Sequence, residues 1–212
     1  MFGIIIKKER EVCMVKSMLS AMQKKQSGVS EKVLPVFESI IEKYEEKAGP
    51  NLIGLKCLQP EWDDEFACAM AKHLTQEQRF QIYKTQGACN GAGADKERNA
   101  FALEYAHLAL DERMKLFSET FRRWKPTLNK DNTLTLHFKC SHGYYKRALD
   151  GTYTVPPKNV ELYFERCAGG RLYELQKALG IKLNIKSVDV SPLNKNVKNP
   201  VVFTFEILDE NS

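Results

Sequence analysis

Few features of this chain announce a chemistry. No two of its six cysteines form a Cys-x-x-Cys pair, which excludes zinc-ribbon and thioredoxin-type motifs. No apolar run approaches the roughly 18–20 residues that a membrane-spanning helix needs, so no membrane partner is expected. The start, MFGIIIKKER, places its charges after a short apolar run. A secretory signal has the reverse order, so a cytoplasmic location with reduced thiols is expected. No segment is rich enough in Gly, Ser or Pro to force a linker. Neither sign of charge dominates: 32 Lys and Arg stand against 27 Asp and Glu, for a net charge of +5. Nucleic-acid binders concentrate basic residues on one face or stripe. The nearest stretch here, Lys182 to Lys198, alternates lysine with Asn and strand-like residues, and a solvated face explains it as well. A nucleic-acid partner is therefore not expected.

What is present fits one α+β domain over 1–212, helical over 8–125 and strand-rich over 133–208. Apolar content of 43% and charged content of 28% are ordinary for such a domain. Val12, Val15, Leu19 and Met22 recur at helical spacing in Lys8 to Lys25. Ser30 is placed to cap a second helix with Val33, Phe37, Ile40, Ile41 and Tyr44 on its inner face. A third helix runs from Glu61 to His73, and Thr75 with Gln78 reads as a capping box that restarts a helix to Gln86. GACNGAGAD, residues 87 to 95, reads as a glycine loop whose Asp95 caps a helix ending near Leu110. Asp111 begins another. The loop has no Gly-Lys-Ser/Thr and no preceding strand, so neither a P-loop nor a dinucleotide fold is read from it. From Thr133 the period changes to two. Thr133 to Phe138, Val160 to Phe164, Ile181 to Val190 and Val201 to Leu208 read as strands, with a helix over Gly169 to Leu179 capped by Gly180. Helices first and strands later point to a helical half packed on a small antiparallel sheet.

Leu134 to Gly180 concentrates the reactive side chains: two cysteines, two histidines, five tyrosines and three arginines. Cys140 and His142 are two apart, hence on one side of a continuing strand. A thiol and an imidazole so placed form a candidate metal-ligand pair or a candidate nucleophile and base. Cys167, His137, Cys89 and His107 could complete a metal site. A buried, chemically silent Cys140 is the competing reading. Tyr144 and Tyr145 cannot both face the core of a regular strand, so one lines a cavity or lies at the surface.

Cys167 falls where the strand VELYF is expected to end and the helix GGRLYELQKAL to begin. Amides at a helix start are unpaired and, with the helix dipole, favour an anion and a thiolate. Gly169 and Gly170 would let a carboxylate or phosphate approach, and Arg166 and Arg171 would flank it. Equally, the glycines could serve a tight turn while the arginines pair with Glu165 and Glu174.

The segment YFERCAGGRLYELQKALGIKLN, followed by strands ending in FTFEI, resembles the C-terminal part of the L-2-amino-thiazoline-4-carboxylate hydrolase-like families. It is also similar to the small-molecule-binding domains related to 4-vinyl reductase. The likeness covers Leu134 to Leu208. It implies a helical layer on a small antiparallel sheet with a ligand pocket between, and carries over Cys167 alone. Pro200-Val201-Val202 stands where those families often place a second cysteine.

Three functions follow as expectations, beside a fourth reading in which the chain is a structural or interaction protein and all these residues simply pack. The first is a domain that binds an acidic small molecule through Arg166, Arg171, His142 and the amides after Cys167, with Tyr144 and Tyr145 as walls. The second is a cysteine-dependent hydrolase of a small C–N or C–S bond, with Cys167 or Cys140 as nucleophile and His142 as base. The third is a metal-dependent sensor or redox protein using Cys140, His142, Cys167 and Cys89. No cofactor is named by the sequence, and a homo-oligomer is compatible with it.

Overall fold

The computed structural model describes residues 18–48, 60–85, 91–122, 125–140 and 160–208. A helical segment at 18–22 leads through short 3-10 turns, Lys25–Ser27 and Glu31–Val33, into α1 (Leu34–Ala48). Then come α2 (Pro60–His73), α3 (Gln76–Lys84), α4 (Gly91–Glu104) and α5 (Leu110–Thr120). The second half carries β1 (Thr127–Leu128), β2 (Thr133–Phe138), α6 (Val160–Leu179), β3 (Lys182–Asp189), a short α7 (Pro192–Lys195) and β4 (Val201–Leu208). The sheet is antiparallel throughout, in the order β1-β2-β4-β3. The architecture is α+β, helices leading and the sheet confined to the C-terminal half.

Local chemistry sets several boundaries. Thr75 accepts from the Gln78 amide while the Gln78 side chain accepts from the Thr75 amide, so the expected capping box starts α3. Gly180 adopts φ +64 immediately after α6, the left-handed cap that glycine takes without strain. Arg113 of α5 donates to the Leu179 carbonyl and satisfies one orphan acceptor of that helix end. Asp95 does not cap a helix: α4 begins at Gly91, so two of the three loop glycines lie within it.

The largest departure from expectation is α6. Val160 to Phe164 is not a strand; VELYFERCAGGRLYELQKAL is one uninterrupted helix of 20 residues. Thirteen of those residues are buried. Leu162, Tyr163 and Phe164 are buried in succession, because α6 has neighbours on several sides. A short apolar run inside such a helix cannot be told from a buried strand by period.

Two apolar clusters meet along α6. Leu162 joins residues 18–22, α1, α2 and α3 around Phe37, Phe66, Met70 and Tyr83. Phe164, Ala168, Leu172, Leu175 and Leu179 join the sheet, α4 and α5 around Leu136, Phe138, Phe203 and Phe205. Phe138 stacks on Phe203 at 5.0 Å and meets Phe164 edge-on at 6.4 Å, geometries that aromatic rings favour. The opposite face of the sheet carries Thr135, His137, Thr204 and Glu206, in the alternation of an antiparallel sheet solvated on one side.

Candidate functional site

Continuity of α6 removes the helix start on which an anion site at Cys167 depended. Cys167 is the eighth residue of the helix, where amide hydrogens are already committed to carbonyls one turn back. The flanking arginines do not converge either. Arg166 and Arg171 are five residues apart, which points them in widely different directions. Arg166 lies close enough to Tyr83 of α3 for its charge to act on that phenol. Arg171 instead sits over the Phe138 ring, its guanidinium carbon 5.6 Å from the centroid, within cation–π range.

Gly169 serves packing. A Cβ there would lie 2.4 Å from the Tyr83 carbonyl oxygen and 2.8 Å from its carbonyl carbon. The missing side chain therefore lets the end of α3 touch α6. Gly170 is buried on the same helix rather than open to a ligand.

A line of functional groups nevertheless runs along α6. Tyr163, Cys167 and Arg171 are spaced by four, and Glu174 follows three later, so all four share one side of the helix. Cys140, just beyond β2, is buried with its Sγ 2.8 Å from Tyr163 Oη. Cys167 is half-buried against the sheet-side cluster. Arg171 Nη1 pairs with Glu174 Oε2 at 2.7 Å, and Arg98 Nη2 of α4 meets Glu174 Oε1 at 2.5 Å. One buried carboxylate is thus shared by two guanidinium groups, with a phenol and two thiols further along the seam.

Beside it lies a more exposed group. Asp95 Oδ2 accepts from Tyr173 Oη at 2.6 Å and from Lys177 Nζ at 2.8 Å, while Arg98 reaches Asp95 Oδ1 at 3.1 Å. Lys177 and Tyr173 hold the Asp95 carboxyl below its ordinary range, chiefly through these hydrogen bonds. Reciprocally, Asp95 raises Lys177. The lowered Asp95 contributes stability above its unfolded value, near 4, and loses it as pH falls through the folded value. The raised Lys177 contributes below its unfolded value, near 10.4, and loses it as pH rises through the folded value. Asp95→Asn should therefore lower Tm by a nearly constant amount between about pH 5 and pH 9. That difference from wild type should shrink as pH falls below about 4 and be lost once the folded carboxyl is protonated. Melting curves across this range check it.

A second ion pair works on the far side of α6. Glu165 is fully buried and lies nine residues before Glu174, two and a half turns and so on the opposite side. Arg79 of α3 grips it with two parallel bonds, Nε to Oε2 at 2.7 Å and Nη2 to Oε1 at 2.8 Å, and spends Nη1 on the Leu74 carbonyl at 3.0 Å. The hydrogen bond to Glu165 raises Arg79, and burial pushes the Tyr83 phenol well up.

Of the residues expected at a site, Cys140, Cys167 and Arg171 are brought to one seam. Arg166 and Gly169 point to other sides of α6, while Gly170 shares the side of Tyr163 and Cys167 but is buried within the helix. His142, Tyr144, Tyr145 and Cys89 lie outside the described residues. His137 is exposed on the far face of β2, and His107 is exposed after α4. Among the described residues no cluster of three or more His, Cys, Asp or Glu side chains could hold a metal ion. Tyr163, Arg98 and the Asp95 group were not anticipated, and Glu174 was expected only as the partner of an arginine. A signal for them existed: read as one helix, 160–179 places Glu165 and Glu174, two of its three glutamates, on opposite sides of a largely apolar helix, and each, if buried, demands a cation.

No family model, curated protein or solved structure matches this chain. No helix among the described residues is long and apolar enough to cross a membrane.

Proposed function

We propose that this chain is a small-molecule-binding domain whose ligand, an organic anion with an apolar body, occupies the seam between α6 and the end of β2. The observation that carries this reading is the line Tyr163–Cys167–Arg171 beside Cys140 and Phe138. A few convergent polar groups in a mostly apolar, aromatic seam are the make-up of ligand sites. The shared carboxylate explains how an anion gains its partner. Glu174 has two guanidinium groups; a ligand carboxylate takes Arg171, and Arg98 keeps Glu174 compensated. Cys68, Cys140 and Cys167 are thiols rather than disulfides, which suits the reducing cytoplasm as the place of action. The likeness of Leu134 to Leu208 to the hydrolase-like and 4-vinyl reductase-related domains supports the same reading, since it too implies a pocket between helix and sheet.

The test is a thermal-shift panel of aromatic and aliphatic carboxylates. A ligand present at about 100 times its Kd should raise Tm by roughly 5–10 °C, and Arg171→Gln should abolish the rise. No shift with any carboxylate, or an equal shift in the folded Arg171→Gln variant, contradicts the proposal.

A cysteine-dependent hydrolase is the second reading, favoured only by the hydrogen bond between Cys140 and Tyr163. It requires one thiol to react with iodoacetamide at pH 6 much faster than a free cysteine; uniformly slow modification eliminates it.

A further inference from the structure

The inward face of α4 is unusual for a helix packed on a core. Among its residues from Ala94 onward, Arg98 and Phe101 are buried and Ala94, Asp95 and Ala102 half-buried, so the long inward side chains are Asp95, Arg98 and Phe101. Two of these three are charged, and both spend their charges on α6: Asp95 on Lys177 and Tyr173, Arg98 on Glu174. The third, Phe101, sits in an aromatic group at the other end of α4, with Tyr105 at 4.7 Å, Phe121 at 5.5 Å and Phe117 at 6.1 Å. Among the described side chains of α4, residues 95–98 are therefore held chiefly by ion pairs and Phe101 by rings.

These two attachments differ when a helix lifts. An ion pair that opens regains the hydration of both charges, which offsets most of the lost attraction. Aromatic surface has no such compensation. We propose that α4 is a gate, hinged at the Phe101 aromatic group and latched by Asp95 and Arg98, whose opening uncovers the Arg171–Glu174 pair on α6. Closing returns Arg98 to Glu174, so latching is tighter once a ligand carboxylate has taken Arg171. What the gate admits rests on the binding reading above; its existence does not, and it is measured with no ligand added.

Native-state amide hydrogen exchange on the full chain tests it. Residues 94–98 should exchange through a sub-global opening, faster than the centre of α6 and faster than residues 101–104. Raising KCl from about 0.05 M to about 1 M should speed 94–98 several-fold in the wild type, because the more exposed charges are screened. Asp95→Asn should speed them about tenfold, since charge-assisted bonds to Lys177 and Tyr173 are lost. The centre of α6 should stay slower than 94–98 under every condition, since it opens only with the whole protein. Exchange of 94–98 only with global unfolding, at any salt, overturns the gate. Exchange of 94–98 and 101–104 through one opening of the same free energy overturns the hinge, for the helix would then detach as a whole.

Discussion

Gly169→Ala should destabilise the protein by about 1–3 kcal/mol, the cost of forcing a methyl group into a filled core. The sign is informative because helix propensity acts the other way. Alanine in a helix interior is favoured over glycine by about 1 kcal/mol, so at an ordinary helical site the change would stabilise. Here the new Cβ meets the Tyr83 carbonyl oxygen at 2.4 Å. That neighbour is backbone, held within α3, and cannot swing aside as a side-chain tip would. Relief requires α3 to move off α6, taking Tyr83 and Arg79 with it. Gly169→Val should cost more, in proportion to its added volume. Urea unfolding of both variants measures the effect. A Gly169→Ala variant as stable as the wild type or more so would mean that α3 does not touch α6 there.

Arg79→Met should cost about 3–5 kcal/mol, the usual penalty for leaving a buried charge without its partner. The orphan would be Glu165, which has no exposed surface and takes two bonds from Arg79. Gln76 offers a bond of 3.4 Å to one of its oxygens and cannot replace a charge. Replacing both members, Arg79→Met with Glu165→Leu, should recover most of the loss, because neither charge then needs to be desolvated. The single and double variants, compared by chemical denaturation, form a cycle whose coupling term isolates the pair. Recovery would fail if Glu165 faced solvent. The two predictions are linked: Arg79 and Tyr83 are four apart on α3, and Glu165 and Gly169 are four apart on α6. These are successive rungs of one helix–helix contact, so Gly169→Ala and Arg79→Met should be less than additive.

Much of the fold was legible from period and punctuation. Thr133–Phe138 and Val201–Leu208 alternate cleanly and form the strands expected of them. Thr75 with Gln78, and Gly180, end or begin helices where their side-chain chemistry dictates. The candidate site was legible only as a list of residues. Its assembly failed at Gly169-Gly170, where two glycines read as a break. Glycine in a helix has two explanations, a turn or a close neighbour, and the neighbour, the Tyr83 carbonyl, is more than eighty residues away in sequence. The same blindness hid the ion pairs. Glu165 was expected to find an arginine next door, whereas its partner is Arg79 on another helix. Only Glu174 met its anticipated Arg171, and it shares that contact with Arg98. Long-range partners of buried charges leave no local trace, although the need for a partner does.

The gate, the seam and both stability predictions depend on α6 running without interruption through Cys167. Amide exchange at Ala168, Gly169 and Gly170 examines this directly. Inside a continuous, buried helix these three hydrogens are bonded to carbonyls one turn back, and they should be among the slowest in the molecule, exchanging only with global unfolding. Were a strand to end and a new helix to begin at Cys167, the same amides would be unpaired at a helix start and would exchange orders of magnitude faster than those of Leu172 and Leu175.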